Sequence, residues 1–305
     1  MEYRPLRVFI EVVRQGSFTK AARALHSTQS TVSKSVQLLE EQIGARLLHR
    51  VGQKNLLTAI GEVVFRRGTT LLIERDDLLA EVADVQGIRQ GVLRLGLPPI
   101  GSHILFAPVF AAYRRKFPAI TVELVEHGSD RLEQALRTGE VDLAGLLLPV
   151  SKEFDFIEVQ HEPLTVLLPR GHRLAGAKEI GIGELREDAF ILFDDSFAIH
   201  HLIVAACRRE KFEPSIVATS NQIDFVVELV GTGLGISFLP LSIARSRKRA
   251  NVRCIPLRQQ DAAWHMAMAW RKSGYLSHAA LAWLKLAGGQ EDADGTPSSP
   301  PTPHP

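Results

Sequence analysis

Residues 16–50 read GSFTKAARALHSTQSTVSKSVQLLEEQIGARLLHR, and this stretch decides the fold of the first part of the chain. Two glycines in it, Gly16 and Gly44, are of the type that commonly ends helices, and Ser17 and Thr28 are good helix N-caps. These boundaries predict one short helix after Ser17 and a second helix from Thr28 to Gly44, joined by a tight connection.

The sequence on either side extends this pattern. Apolar residues from Leu6 to Val13 repeat at helical spacing and predict a first helix. The polar segment 51–55 lies between two leucine pairs and predicts a short hairpin, the wing. Thr58 can cap a long fourth helix reaching about Gln86, whose apolar stripe has no partner inside a small domain. We expect this stripe to pack against a second copy of the chain; an ordinary core helix is the alternative.

The third helix divides into two arcs that do not overlap on a helical wheel. One arc is apolar and consists of Val32, Val36, Leu39 and Ile43. The other has no acid before Glu40 and carries Gln29, Ser30, Ser33, Lys34 and Gln37. Base edges offer donors and acceptors, and the DNA backbone repels carboxylates, so the polar arc suits a DNA major groove. An ordinary solvated face is the alternative.

Positive charge is concentrated in the same region. Residues 1–58 contain nine Lys or Arg and four acids, which gives +5, whereas the whole chain has a formal net charge of +2. This imbalance indicates a polyanion-binding module. Further DNA contacts are expected from helix starts and from the basic hairpin, namely from Ser17, Thr19, Thr28, Arg50, Gln53 and Lys54.

From about residue 91 the pattern changes to alternating strands and helices, which predicts an α/β fold with parallel sheets and helices on both faces. We divide the chain into a DNA-binding domain (1–58), a linker helix (59–87), an α/β domain (91–288) and a disordered tail (289–305). Within the α/β domain, lobe I spans about 91–163 plus 264–288, and lobe II spans about 164–263. Two such lobes suggest a cleft between them.

Polar residues and backbone amides follow several predicted strands of this domain. Ligands of open α/β sheets bind beyond the carboxyl ends of strands, and helix starts there favour anions. As a set these residues mark the cleft, where we expect a small organic anion to bind, although each residue taken alone is better explained as an ordinary helix cap. The candidate residues are Pro99, Ile100, Gly101, Ser102, His103, Gly128, Ser129, Leu148, Ser196, Phe197, Thr219 and Asn221.

The sequence resembles the LysR-type transcriptional regulators. The resemblance rests on residues 16–50 with LLTAIGEVVF (56–65), and continues through RLGLPP (94–99), FPAITVEL (117–124), GEVDLAGLL (139–147) and GTGLGISFLP (231–240). It implies a winged helix-turn-helix, a dimerising linker helix, a two-lobed periplasmic-binding-protein-like effector domain, and a homotetramer on a partly palindromic promoter site. The family commonly has Ser-Gln-Pro-Ala where this chain has Thr28-Gln29-Ser30-Thr31. The operator sequence of this chain is therefore expected to differ from the one that the family usually prefers.

The expected partners are double-stranded promoter DNA, a small-molecule effector and further copies of the chain, with RNA polymerase as a candidate. The two cysteines, Cys207 and Cys254, have no paired spacing, which suits a reducing cytoplasm. No uncharged apolar run reaches the roughly 20 residues of a membrane helix, so no membrane is expected.

Other function classes are disfavoured. A solute-binding protein would need an export signal and no basic N-terminal module. A hydrolase would need a nucleophile elbow, and a dehydrogenase a glycine loop after a strand; the GTGLG run (231–235) precedes a strand instead. His200 and His201 are adjacent on a predicted helix and make a poor metal pair. We expect no enzyme activity, no metal and no cofactor.

Overall fold

The computed structural model describes residues 2–51, 54–87, 91–247, 249–258 and 263–289. They form two compact units, divided between Gln86 and Gly87. Most of the tail predicted to be disordered, from residue 290 onward, lies outside the described residues, as do residues 88–90 between the two units.

The first unit is a three-helix core followed by a hairpin and a long helix. Its elements are α1 (Tyr3–Gln15), α2 (Phe18–Ala24), α3 (Gln29–Ile43), β1 (Leu48–Val51), β2 (Lys54–Leu57) and α4 (Ala59–Val85). The strands β1 and β2 are antiparallel. This arrangement confirms the predicted winged helix-turn-helix.

The helix boundaries lie where the sequence predicts them. Gly16 and Gly44 end α1 and α3 in the left-handed conformation, with φ of 64° and 76°. The side chains of Ser17, Thr28 and Thr58 each accept a backbone hydrogen bond at the start of α2, α3 and α4, which satisfies amides that have no partner within the helix.

The core of the first unit lies where α1, α2 and α3 meet. Phe9, Val12, Ala21, Leu39 and Leu47 are inaccessible to solvent there. Burying a large apolar side chain contributes about 1.5–3 kcal/mol, so these contacts fix the mutual angles of the three helices.

Much of the long helix α4 has no apolar partner among the described residues of its own chain. Its first half packs on the core through side chains such as Val64 and Phe65. Further along, Leu71 is 54% exposed, Leu78 is 59% exposed and Val85 is 82% exposed. These three residues are seven positions apart, so they lie on one side of the helix.

The second unit contains two lobes built on mixed sheets. Its strands are β3 (Gly91–Leu97), β4 (Ile120–Glu126), β5 (Leu143–Leu147), β6 (Phe154–Pro169), β7 (Ala189–Phe193), β8 (Ser215–Ser220), β9 (Ser237–Pro240), β10 (Val252–Pro256) and β11 (Ala263–Arg271). Its helices are α5 (Ser102–Lys116), α6 (Ser129–Arg137), α7 (Ala198–Arg209), α8 (Ile223–Gly231), α9 (Leu241–Ser246) and α10 (His278–Ala287).

One long strand, β6, belongs to both lobes. Its first half pairs with β11, which continues the lobe I order β11-β5-β3-β4. Its second half pairs with β9 and β10 in lobe II, where β7 and β8 form a parallel pair nearby. The lobes are therefore connected through hydrogen-bonded strands.

The prediction of parallel sheets is only partly right. The pairs β3–β4, β3–β5 and β7–β8 are parallel, whereas β6 and β11 run antiparallel to their neighbours. Alternating strands and helices indicate parallel neighbours, but the two strands that cross between the lobes reverse direction. The elements α9 and β10 were not predicted.

Within the described part of the chain, no helix combines the length and the hydropathy that crossing a membrane would require.

Candidate functional site

The outer surface of α3 is polar and accessible. Gln29, Ser30, Lys34 and Gln37 are exposed, Ser33 is half-buried, and Val32, Val36 and Leu39 are buried behind them. The two arcs that the helical wheel separates therefore face solvent and core, respectively. This surface presents hydrogen-bonding groups and one cation outward.

Two residues of α3 differ from their predicted positions. Ile43 was assigned to the core, but it is 37% exposed in the last turn of α3. Glu40 is buried, and its carboxylate accepts hydrogen bonds from the Leu47 amide at 2.8 Å and from the guanidinium of Arg46 at 2.9 Å. The exposed acid of this helix is Glu41, so the acid-free surface ends near Leu38.

A side-chain contact links α2 to the first turn of α3. The Thr19 hydroxyl donates to Gln29 Oε1 at 3.3 Å. Held this way, the amide of Gln29 keeps both N–H donors and one lone pair free. These are the groups that a glutamine needs for paired hydrogen bonds to adenine.

Several contacts attach the hairpin to the helices around it. The Thr58 hydroxyl donates to the carbonyl of Arg46 at 2.8 Å, and the side-chain amide of Asn55 donates to the carbonyl of Gly16 at 3.4 Å. Gly61 is required at the start of α4, since an added Cβ would overlap the carbonyl oxygen of Leu47. The hairpin is therefore fixed relative to α2 and α3.

Three predicted DNA-contact residues of the hairpin cannot be placed. Gln53 lies outside the described residues, and the side chains of Arg50 and Lys54 are not described. Ser17 and Thr28 act as helix caps, as noted above, and Thr19 contacts Gln29. Their expected contacts to DNA stay predictions.

In the second unit, loops from both lobes meet at the strand ends. An added Cβ at Gly128, after β4 of lobe I, would overlap the carbonyl oxygen of Ser196, after β7 of lobe II. Gly101 has φ of 93°, and an added Cβ would lie 2.6 Å from the ring of Trp264. Both positions exclude larger residues because the backbone approaches its neighbours closely.

A polar contact also joins the two lobes beside these loops. Arg247, after α9, donates through Nη1 to His103 Nε2 at 2.9 Å and through Nε to Asp224 Oδ1 at 3.0 Å. A guanidinium only donates, so His103 accepts and its imidazole is neutral. Burial and the nearby charge of Arg247 lower the pKa of His103, while Asp224 opposes this shift. We call these three residues the interlobe triad.

The other candidate cleft residues fall into two groups. Ile100 and Phe197 pack in the core, with the ring of Phe197 5.6 Å from that of Phe193, and the hydroxyl of the buried Ser102 donates to the carbonyl of Pro98. The Ser196 hydroxyl donates a hydrogen bond to the carboxylate of Asp194. The remaining candidates are accessible or half-buried, namely Pro99, Ser129, Leu148, Thr219 and Asn221. A role for them in effector binding stays a prediction.

Comparison with known proteins assigns both units. Residues 3–62 match the bacterial regulatory helix-turn-helix protein, lysR family, and residues 86–290 match the LysR substrate binding domain. The chain belongs to the LysR family. It is a DNA-binding transcriptional regulator with an effector-binding domain, and not an enzyme.

Individual relatives of this LysR-family chain agree over nearly its whole length. The HTH-type transcriptional regulator YwbI of Bacillus subtilis (strain 168) is 35% identical over 286 residues, covering 93% of this chain and 95% of that protein. A full-length OxyR variant from Pseudomonas aeruginosa has a TM-score of 0.68 at 23% identity, covering 94% of both chains. Full-length CbnR in complex with its target DNA has a TM-score of 0.63 at 19% identity, covering 95% of this chain and 100% of that one. The two structures show the same fold.

Sequence reasoning missed two members of the interlobe triad of this LysR-family regulator. His103 was a candidate because it follows a strand, whereas Arg247 and Asp224 were not. Arg247 is 144 positions away from His103 and follows a helix that was not predicted. No local pattern marks such a contact, since it depends on how the two lobes pack.

The glycine run, the adjacent histidines and the two cysteines have structural explanations. Gly235 lies against the carbonyl of Ala189 as the chain enters the second sheet, and His200 Nδ1 lies 2.8 Å from the carbonyl oxygen of Phe193. Cys207 is buried and Cys254 half-buried, and both are free thiols. Burial raises the pKa of Cys207 to about 12, so its thiolate is scarce at neutral pH.

Proposed function

We propose that this regulator reads promoter DNA with the exposed side of α3 and that a small organic anion bound between the lobes controls it. One observation carries the DNA-reading proposal: from Gln29 to Leu38 the outer surface of α3 is accessible, hydrogen-bonding and free of acids. A helix with such a surface can enter a major groove without repelling the phosphates. The contact from Thr19 supports Gln29 as the principal base-reading residue.

The effector proposal rests on the interlobe triad. Arg247 is only 17% exposed and lies beside the start of α5, a helix with no acid in its first turn. Positive charge from a guanidinium and from a helix start attracts an anion. An effector carboxylate would compete with His103 for Arg247 and so change the contact between the lobes.

We further propose that the chain assembles through α4 and acts as a homotetramer in the cytoplasm. The exposed apolar side of α4 supports a dimer, and the two free cysteines are consistent with a reducing compartment. CbnR bound to its target DNA gives a precedent for DNA binding by this fold. Effector binding would then alter the spacing of the paired DNA-reading heads, because half-site spacing is a geometric constraint. RNA polymerase would be a further partner of the DNA-bound form.

The effector proposal can be tested by thermal unfolding of the full chain with small carboxylates and with their uncharged amides. We expect some carboxylates to raise the melting temperature and their amides not to. Arg247→Ala should remove the response, whereas Arg245→Ala, an exposed arginine of α9, should keep it. Stabilisation only by neutral or cationic compounds would contradict an anionic effector.

A further inference from the structure

A basic groove lies in the first unit, between α1, the turn that follows α2, and α3. Its volume is about 260 Å³, and none of the residues that line it is acidic. Its polar lining consists of Arg4, Arg7, His26, Ser27, Thr31 and Ser35, and apolar side chains such as Val8 and Val32 complete it.

The two arginines give the groove its charge. Arg4 and Arg7 are exposed and one turn apart on α1, and neither forms an ion pair with any described residue. Both lie in the first turns of α1, where the positive end of the helix dipole disfavours cations. The packing of this unit therefore gives no reason for two arginines at these positions.

The groove lies on one side of α3, and α2 begins on the other. At about 100° per residue, Thr31 and Ser35 are roughly 200° and 240° around the helix from Gln29. The contact between Thr19 and Gln29 places the start of α2 on the side of Gln29. Lys34 and Ser30 face outward between these two flanks.

A helix lying in a major groove has a phosphate backbone on each side. The DNA major groove is about 12 Å wide, and a helix with its side chains is about 10–12 Å across. Both phosphate backbones therefore approach the flanks of the helix. With α3 in a major groove, the start of α2 would face one backbone and the basic groove of Arg4 and Arg7 would face the other. The hydroxyl of Ser27 adds a hydrogen-bond donor on the same flank, beside Thr31, whose hydroxyl is paired with that of Thr28 at 2.9 Å.

We propose that the basic groove binds the phosphate backbone of the DNA strand opposite to the one that α2 contacts. Arg4 and Arg7 each neutralise a phosphate, and the wall formed by Ser27 and Thr31 positions it. This binding is independent of base sequence, so it adds affinity and fixes the rotation of α3 in the major groove without choosing bases. The proposal rests on the proposed DNA-reading function of α3.

The test is the salt dependence of DNA binding by the full-length chain. Affinity is measured by fluorescence anisotropy between about 50 and about 200 mM salt, on the duplex upstream of the chain's own gene and on a scrambled duplex. The slope of log affinity against log salt is negative, and each lost phosphate contact makes it shallower by about 0.9. Arg4→Ala/Arg7→Ala should make the slope shallower by about 1.8 for each bound DNA-reading head, which is about 3.6 for a pair of heads, on both duplexes, and should leave their affinity ratio unchanged.

Two further variants control for charge and folding. Arg4→Lys/Arg7→Lys should retain the wild-type slope, because lysine also neutralises phosphate. Arg115→Ala/Arg170→Ala removes two exposed arginines of the second unit and should leave the slope unchanged. Circular dichroism shows whether the alanine variant is folded, and the lysine variant still tests the groove if it is not. A slope that is shallower by about 1.8 per bound head in a folded lysine variant would contradict phosphate neutralisation.

The possible failures are distinguishable. If the wild-type chain binds both duplexes equally, the proposed DNA-reading function fails. If the wild type discriminates but a folded Arg4→Ala/Arg7→Ala variant keeps the full slope, the groove does not bind phosphate. If that variant also loses transcription by RNA polymerase while it still binds DNA normally, the groove binds an acidic segment of a protein instead, which overturns the proposal.

Discussion

At the scale of single residues, several roles follow from local chemistry and others only from packing. Thr28 and Gly44 delimit α3 as their residue types predict, because capping depends on the adjacent backbone. Glu40 could not be assigned in this way. Its wheel position is at the edge of the buried arc, and only the course of the chain after Gly44 brings the Leu47 amide to its carboxylate.

His103 gives a pH-dependent prediction at this scale. Because the pKa of His103 is lowered in the folded chain, the unfolded chain binds more protons once the pH falls below the ordinary value of 6.5. The stability that depends on the neutral His103 should therefore be present above this pH and be lost below it. His103→Gln keeps an acceptor for Arg247 but does not titrate. The melting temperature of wild type should fall more than that of His103→Gln between about pH 7.5 and about pH 5.5.

A matched control for this experiment is His127→Gln, which replaces an exposed histidine of the same unit that makes no hydrogen bond to any described residue. Its melting temperature should fall in parallel with that of wild type over the same pH range. Parallel curves for wild type and His103→Gln would show that the interlobe triad does not couple to pH.

At the scale of elements, the sequence predicts which helices and strands exist better than it predicts how the strands pair. The helices α1 to α4 and the strand β4 fall close to their expected bounds, since periodicity and caps are local properties. In the sequence, the near-continuous apolar run Leu164–Leu168 predicts a strand only over these residues, whereas β6 runs over Phe154–Pro169. Its first half is mostly half-buried and lacks the near-continuous apolar run of its second half. Strand direction was also wrong for β6 and β11, because no local pattern encodes a crossing between lobes.

The exposed side of α4 yields a prediction about assembly. Leu71→Glu/Leu78→Glu places charges where a second copy is expected to bury leucines, and burial of a leucine contributes about 1.5–3 kcal/mol. Self-association should weaken by at least about a hundredfold, which analytical ultracentrifugation can measure. Both leucines are exposed in the single chain, so the protomer should stay folded.

The control for assembly is Ala80→Glu, which adds a charge on the side of α4 opposite to Leu71 and Leu78. Its association should match that of wild type. If the double glutamate variant sediments like wild type, another surface holds the protomers together.

At the scale of the whole molecule, the sequence predicts the kind of protein and its order of parts. The motif of residues 16–50, the long helix and the alternating α/β pattern are confirmed by matches to the LysR family over both units. The proposed effector site is less accessible to prediction. Its candidate loops were found from strand ends, but the charge that suits an anion comes from Arg247, which only the packing of lobe II against lobe I brings to His103.

The most direct measurement is the ratio of affinities for the upstream duplex and a scrambled duplex at one fixed salt concentration, for wild type, Gln29→Ala and Gln15→Ala. Wild type should prefer the upstream duplex by about a thousandfold or more. Gln29→Ala should reduce this preference by at least about tenfold, because a paired contact to a base is lost. Gln15→Ala, an exposed glutamine of α1, should leave it unchanged. An unchanged ratio in Gln29→Ala would contradict the assignment of α3 as the surface that reads DNA.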